Sequence, residues 1–371
     1  MDFDFTTEQD MLRKSVAEFL KKECPFDIVK EIEDSDEGYS AKLWKKMAQL
    51  EWMGIHFPEE YGGFGDPFMA LLIIVEEMGK MAFPGPFFST VVVCGLVIME
   101  GGGDKQKKDL LSKIAQGKLI MALANYEEDA SYLPSEIRMP ATLTGENYVL
   151  NGKKMFVMDA NIAEKLIVAA RTAEGVSLFL VNAKDPGITI RKIPTIGKDN
   201  TCEVVFKNVT VSKNDMIGKP GQGEQVLDSV LEKATVAKCA EMLGGCHTAI
   251  EMTADYARNR VQFGVPIGAQ QSIQHYLADM QIAYDSSINL FFKVAWMLDE
   301  GMDFSTDASA LKGRLNEMYN FIADRAVQIH GGVGTTREFN IGLFFRRAKA
   351  FELMFGDSQY HYERAARGLG L

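Results

Sequence analysis

Cysteine is scarce and scattered. Cys24, Cys94, Cys202, Cys239 and Cys246 form no CxxC pair and have no histidine at ligand spacing, so neither a disulfide framework nor a zinc or other metal site is expected. Positive charge is in deficit: 40 Lys and Arg against 51 Asp and Glu give a net charge of −11. That leaves no basic field for nucleic acid or an anionic membrane, and any phosphate would have to be held by local features. Long apolar runs are missing as well, since "FMALLIIVEEMG" and "FFSTVVVCGLVIM" are too short or too interrupted for a membrane span. The acidic start "MDFDFTTEQD" has no apolar core of a signal peptide, so a reducing, cytoplasmic setting is expected. What is present is 47% hydrophobic content over 371 residues, enough for two or three domains with sizeable cores.

The hydrophobic period changes twice along the chain. Over residues 1–118, apolar positions recur every three or four residues in "TTEQDMLRKSVAEFLKKE", "YSAKLWKKMAQLEWMGI" and "KQKKDLLSKIAQG", which predicts helices, with Thr6 or Thr7 as the first N-cap. Over 119–217, short β-branched runs are punctuated by GEN, NGK, AEG and DPG turns, which predicts an antiparallel sandwich or barrel. Over 218–371 a helical pattern returns and continues to the end. The expected order is α, then β, then α.

Two stretches of the last block could meet a ligand. In "YARNRVQFGVPIGAQQSIQHYLADM" an Arg-bearing helix end runs into a Gly/Pro turn and then a helix starting near Gln271, a combination able to hold a diphosphate. Taken alone, it is also the ordinary pattern of a charged helix stopped by Gly264 and Pro266. In "QIHGGVG" the missing side chains of Gly331 and Gly332 allow close backbone approach, although the spacing is not that of a dinucleotide-binding GxGxxG.

With "EEYGG" at 59–63, "EEMGK" at 76–80, "YVLNGKKMFV" at 148–157, "RVQFGVPIG" at 260–268 and "QIHGGVG" at 328–334, in this order, the chain resembles the acyl-CoA dehydrogenase family of flavoproteins over nearly its whole length. The resemblance implies a helical N-terminal domain, a middle β-barrel domain and a C-terminal four-helix bundle, with FAD between the last two and completed by a neighbouring subunit of a tetramer. It places Arg260, Gln262 and Phe263, with Gln271 nearby, on the adenosine diphosphate portion of FAD, and Gln328, Gly331 and Gly332 on its diphosphate. Gln359 matches the last FAD contact of the family. Where familiar members carry Trp-Ile-Thr facing the flavin, this chain has Phe156 for the Trp and Met158 for the Thr. The implied partners are an acyl-CoA substrate and an electron-transfer flavoprotein, in a homotetramer or a heterotetramer with a related subunit.

The implied reaction removes an α-proton beside a thioester carbonyl while hydride leaves the β-carbon for flavin N5, and it needs a positioned base. Short- and medium-chain members carry a Glu just before the Gly of the last motif, where "FELMFGDSQ" has Phe355. In isovaleryl- and long-chain-like members the base comes from the helix that opens the C-terminal domain. Measured back from Phe263, that position falls on Lys233, one residue from Glu232. Glu232 is therefore the candidate base, against its plainer reading as a carboxylate favoured near a helix start by the macrodipole. Asp357, after the Gly356 break, is the alternative. His247 and His330 stand without a Ser, Cys or carboxylate constellation, which argues against a hydrolase. The lack of the usual Glu points to the branch acting on bulky, cyclic or dicarboxylic acyl groups. It also leaves open a non-catalytic subunit of a heterotetramer, an enoyl-CoA reductase or an oxygen-using oxidase of the same fold.

Overall fold

The computed structural model describes residues 5–371, which fold into two compact units. One is built from 5–30, 67–83 and 235–371, the other from 31–66 and 84–234, so the division falls inside the long helix α7 (Gly223–Asn259). Among the described residues no helix is long and apolar enough to cross a membrane.

The first unit is helical. Helix α1 (Thr7–Glu23) starts at Thr6, whose hydroxyl accepts from the Gln9 amide while the Gln9 side chain accepts from the Thr6 amide, a reciprocal capping box. Helix α4 (Phe68–Lys80) is mostly apolar and is buried from Ala70 to Gly79. Its two buried carboxylates are paired within the unit, Glu76 with Arg13 at 2.7 Å and Glu77 with Lys80 at 2.6 Å. Helices α4 and α7 cross at two glycines: a Cβ at Gly79 would lie 2.1 Å from the Glu241 carbonyl oxygen, and one at Gly244 would lie 2.0 Å from that of Glu76. No other residue permits that backbone approach. Helix α9 (Ser305–His330) packs against α8 (Gln271–Asp299), α10 (Ile341–Leu353) and α11 (Ser358–Gly368).

The second unit joins short helices, α3 (Ala41–Gln49), α5 (Gly95–Gly101) and α6 (Asp104–Ala115), to two four-stranded sheets. One sheet has the order β1 (Met121–Ala124), β4 (Lys165–Thr172), β5 (Gly175–Asn182), β8 (Met216–Ile217). The other runs β2 (Ala141–Thr144), β3 (Asn147–Met158), β7 (Thr201–Ser212), β6 (Ile188–Lys192). Their facing sides bury Leu150, Val168, Val204 and Phe206, and the Tyr148 and Phe179 rings meet at 5.0 Å. The sheets do not close into a barrel, which resolves the barrel-or-sandwich expectation in favour of two layers. Nor is the arrangement wholly antiparallel, because β1 pairs with β4 in parallel. The expected turn at Asn151–Lys153 is not a turn either. Strand β3 runs through it, with its register slipping between Leu150 and Gly152 and Gly152 at φ +149°. Glycine here marks a strand irregularity rather than a reversal.

Candidate active site

Two segments of the second unit and three of the first carry the polar chemistry. In the second unit, strand β3 slips again between Lys154 and Val157: Lys154 opposes Val204 but Val157 opposes Cys202, so one extra residue is accommodated. The bulge puts Phe156 at φ +54°, with its ring 44% exposed, and turns the Met155 amide away from the ladder to donate to the Tyr126 carbonyl at 3.0 Å. The Lys154 side chain, fully buried, donates to the Asn125 carbonyl at 3.1 Å and to Glu127 Oε1 at 2.8 Å. Burial pushes its ammonium down to about 8, against the pull of Glu127. Burial acts on Glu127 too, but the Lys154 ammonium and the Met139 and Arg138 amides outweigh it and hold the carboxyl below its ordinary range.

Just past the bulge, Met158 is half-buried at the end of β3. Asp159 is buried, accepting from the Ser89 hydroxyl at 2.5 Å and the Asn200 amide at 3.2 Å. Ser89 belongs to a buried π-helical turn, Phe87–Cys94, a wide-turn geometry frequent at functional sites.

In the first unit, Arg260 follows the last residue of α7 and begins a two-stranded arm, β9 (Val261–Gln262) and β10 (Val265–Pro266). Phe263 and Gly264, both at positive φ, make the two-residue turn between them, and the Phe263 ring is 94% exposed. Gln262 is exposed on the arm, and Gln271 is the first, exposed residue of α8. Arg258 is paired with Asp255, whereas the exposed Arg260 guanidinium has no carboxylate partner among the described residues.

The Gly331 turn lies beside this helix end. Tyr256 of α7 stacks on His330 of α9 with ring centroids 4.3 Å apart, and Phe339 meets both edge-on. Burial lowers the His330 pKa, so the ring is neutral and its Nδ1 donates to the Ala326 carbonyl at 2.8 Å. Gly331 has φ +66° and ψ −148°, a region essentially restricted to glycine. A Cβ at Gly331 or Gly332 would meet nothing, so the backbone of this turn is open. Gln328, one turn before, is exposed.

The third segment is the break between α10 and α11. Phe355 is buried at φ +62° and Gly356 follows at φ +118°. Lys312 of α9, fully buried, donates to Asn316 Oδ1 at 2.5 Å and to the carbonyls of Phe351 at 3.1 Å and Gly356 at 3.0 Å. Burial pulls its pKa down to about 7, while these acceptors, with the Glu352 carbonyl farther off at 3.5 Å, suit the ammonium. His361 Nε2 lies 3.0 Å from the Phe355 carbonyl. Asp357 is the N-cap of α11, its carboxylate accepting from the Tyr360 amide at 2.8 Å, and Glu352 accepts from Asn320 at 2.9 Å. Gln359 is exposed and donates to Glu363 at 3.1 Å. Glu232 is half-buried and stands well inside α7, not near its start, so the macrodipole, which fades within a turn, does not explain it. Its neighbour Lys233 is engaged by Glu100 at 2.6 Å.

Lys154, Lys312 and His361 were not singled out by sequence reasoning. Lys154 left a signal: it shares strand parity with the buried Tyr148 and Leu150. Lys312 and His361 left none, because a polar residue on a helical face is ordinarily solvated.

The open glycine turn and the unneutralised arginine belong to the helical unit, and the bulged strand presenting an aromatic ring belongs to the two-sheet unit. Residues 6–118 match the acyl-CoA dehydrogenase N-terminal domain, 122–209 its middle domain and 221–370 its C-terminal domain. The chain belongs to the acyl-CoA dehydrogenase family, whose members are FAD-dependent oxidoreductases. It is 31% identical over 369 residues to a short-chain-specific acyl-CoA dehydrogenase of Clostridium acetobutylicum, covering 97% of each chain. It is 28% identical to the caffeyl-CoA reductase-Etf complex subunit CarC of Acetobacterium woodii, covering 96% of each. Butyryl-CoA dehydrogenase from Megasphaera elsdenii has the same fold, with a TM-score of 0.92 at 28% identity over the whole of both chains.

Proposed function

We propose that the chain oxidises the acyl group of a CoA thioester across its Cα–Cβ bond, with a bulky, cyclic or dicarboxylic acyl group as substrate, and passes electrons to an electron-transfer flavoprotein. The observation that carries the oxidation of an acyl-CoA is the match to all three domains of the family in order, at full length, and the choice of acyl group rests on Phe355 in place of the usual Glu. The residues present fit FAD. The free Arg260 guanidinium is the charged donor a diphosphate needs, the Gly331–Gly332 turn lets it approach the backbone without meeting a side chain, and the amide side chains of Gln262, Gln271, Gln328 and Gln359 are exposed. Bound FAD supplies the hydride acceptor. The Phe156 ring offers it an apolar face, and Met158 offers a sulfur where relatives carry a hydroxyl.

The chain's own part in the chemistry is to take the α-proton. Phe355 cannot accept one, and the Asp357 carboxylate is engaged as a helix cap. Glu232, half-buried on α7, takes that role in this reading. A second reading, favoured by Phe355 at the position of the usual Glu, is a subunit whose base resides on a related partner chain in a heterotetramer. The kinship to a reductase of an Etf complex also fits operation in the direction of enoyl-CoA reduction, and an oxygen-using oxidase remains the alternative of acceptor. The test is anaerobic titration of the purified yellow protein with a panel of CoA thioesters. Bleaching by one of them without an added partner supports the first reading; bleaching by none, restored by a co-purified related chain, supports the second.

A further inference from the structure

Strand β3 carries a lysine that the reaction does not use. Lys154 is fully buried, and its ammonium reaches out of the sheet to the Asn125 carbonyl and the Glu127 carboxylate. One residue on, the Met155 amide, freed from β7 by the bulge, donates to the Tyr126 carbonyl at 3.0 Å. Three consecutive residues of the 125–127 segment are thus pinned to two consecutive residues at the base of the bulge. Glu127 extends the attachment, because its carboxylate also accepts from the Arg138 and Met139 amides and so closes the loop that leads to β2. The next residue along the strand is Phe156, held at φ +54°, a conformation that costs energy for a non-glycine residue unless its surroundings impose it.

We propose that Lys154 is a positioning residue for the flavin: by clamping the 125–127 segment to the β3 bulge it fixes the left-handed Phe156 and the direction in which its ring is displayed. The inference rests on the reading that FAD binds against Phe156 and Met158. Its physical basis is preorganisation. A bulge whose freed amide and displaced loop are both tied presents one surface to a ligand, whereas an untied bulge has to be ordered on binding. Arginine at 154 could still reach both acceptors with a charged donor, whereas methionine keeps much of the bulk and offers none.

The test compares wild type, Lys154→Met, Lys154→Arg and Glu127→Gln as full-length holoproteins. It reads the FAD dissociation constant and the visible circular dichroism of the bound flavin, with deuterium exchange at the Met155 amide in the FAD-free form. Lys154→Met is expected to speed Met155 exchange, to weaken FAD by about tenfold or more, as loss of a hydrogen bond from a charged donor predicts, and to change the flavin dichroism. Lys154→Arg is expected to recover part of both flavin signals. If Met155 exchange quickens while FAD affinity and dichroism stay those of wild type, the clamp is structural only and the proposal is overturned. Should Lys154→Met fail to fold, Glu127→Gln decides in its place, and a wild-type flavin signature there overturns the proposal equally. A wild-type protein that takes up no FAD sinks the functional reading, and this inference with it; a yellow wild type with indifferent variants sinks the inference alone.

Discussion

Lys312 on α9 donates to the carbonyl of Gly356 at 3.0 Å, reaching across to the break between α10 and α11 that holds Phe355. The same ammonium holds Asn316 Oδ1 and the Phe351 carbonyl, so one buried side chain ties α9 to the end of α10 and to the backbone beyond it. Lys312→Met removes all three donors and leaves Asn316 Oδ1 without them. The loss is expected to be about 3 kcal/mol, the scale of a buried hydrogen-bond set to a charged group, read as a fall in the urea midpoint at unchanged slope.

Asp299, the last residue of α8, caps a helix far away in sequence. Its carboxylate accepts from the Phe68 amide at 2.7 Å and the Met69 amide at 3.2 Å, at the start of α4, where Pro67 offers no side-chain cap. Asp299→Ala should cost about 1 kcal/mol, and Asp299→Asn less, in thermal or urea unfolding.

His361 should make the fold acid-sensitive. Burial, helped by the Lys312 charge, pushes its pKa down to about 3 from an ordinary 6.5. The charged groups around it, Lys312 and Arg364, are both positive. Between those two values the unfolded chain binds a proton that the folded chain refuses, so stability falls as pH drops from about 6.5 towards 3. One such proton gives a slope approaching about 1.4 kcal/mol per pH unit. His361→Gln should flatten the dependence of unfolding free energy on pH in that window by this amount.

Glu232→Gln keeps the shape of the proposed base and removes its basicity. FAD and CoA-ester binding should survive, while flavin reduction by substrate slows by on the order of 10²–10⁴-fold in stopped flow. Equal rates for Glu232→Gln and wild type, with Asp357→Asn inactive yet folded, would move the base to the C-terminal motif despite its capping role.

Arg260→Ala removes the one charge of the exposed arm that has no carboxylate partner among the described residues. FAD affinity should weaken by roughly 1.5–3 kcal/mol, the worth of a charge-assisted contact, measured by flavin release into the filtrate at rising dilution. Arg258→Ala, which removes a guanidinium already paired with Asp255, should change it far less.

The sequence by itself determined the order of helices, strands and helices, because a change of hydrophobic period from 3.6 to 2 and back is a local property of the chain. It determined a threonine cap at Thr6 or Thr7, the breaks at Gly264 and Gly331, and the absence of a carboxylate at 355 for the same reason: each is a matter of residue type at one place. What only the tertiary structure decided depends on partners distant in the chain. Whether the β runs close into a barrel turns on which edges meet, and here no named strand of one four-stranded sheet pairs with a strand of the other. Asn151–Lys153 has turn-forming residues, yet β3 passes through them because pairing with β7 on both sides holds the strand extended. The meaning of a charged residue was decided the same way. Lys154 and Lys312 are written like any surface lysine, and they became buried anchors because carbonyls and a carboxylate from other segments converge on them, replacing the water a solvated ammonium would otherwise hold.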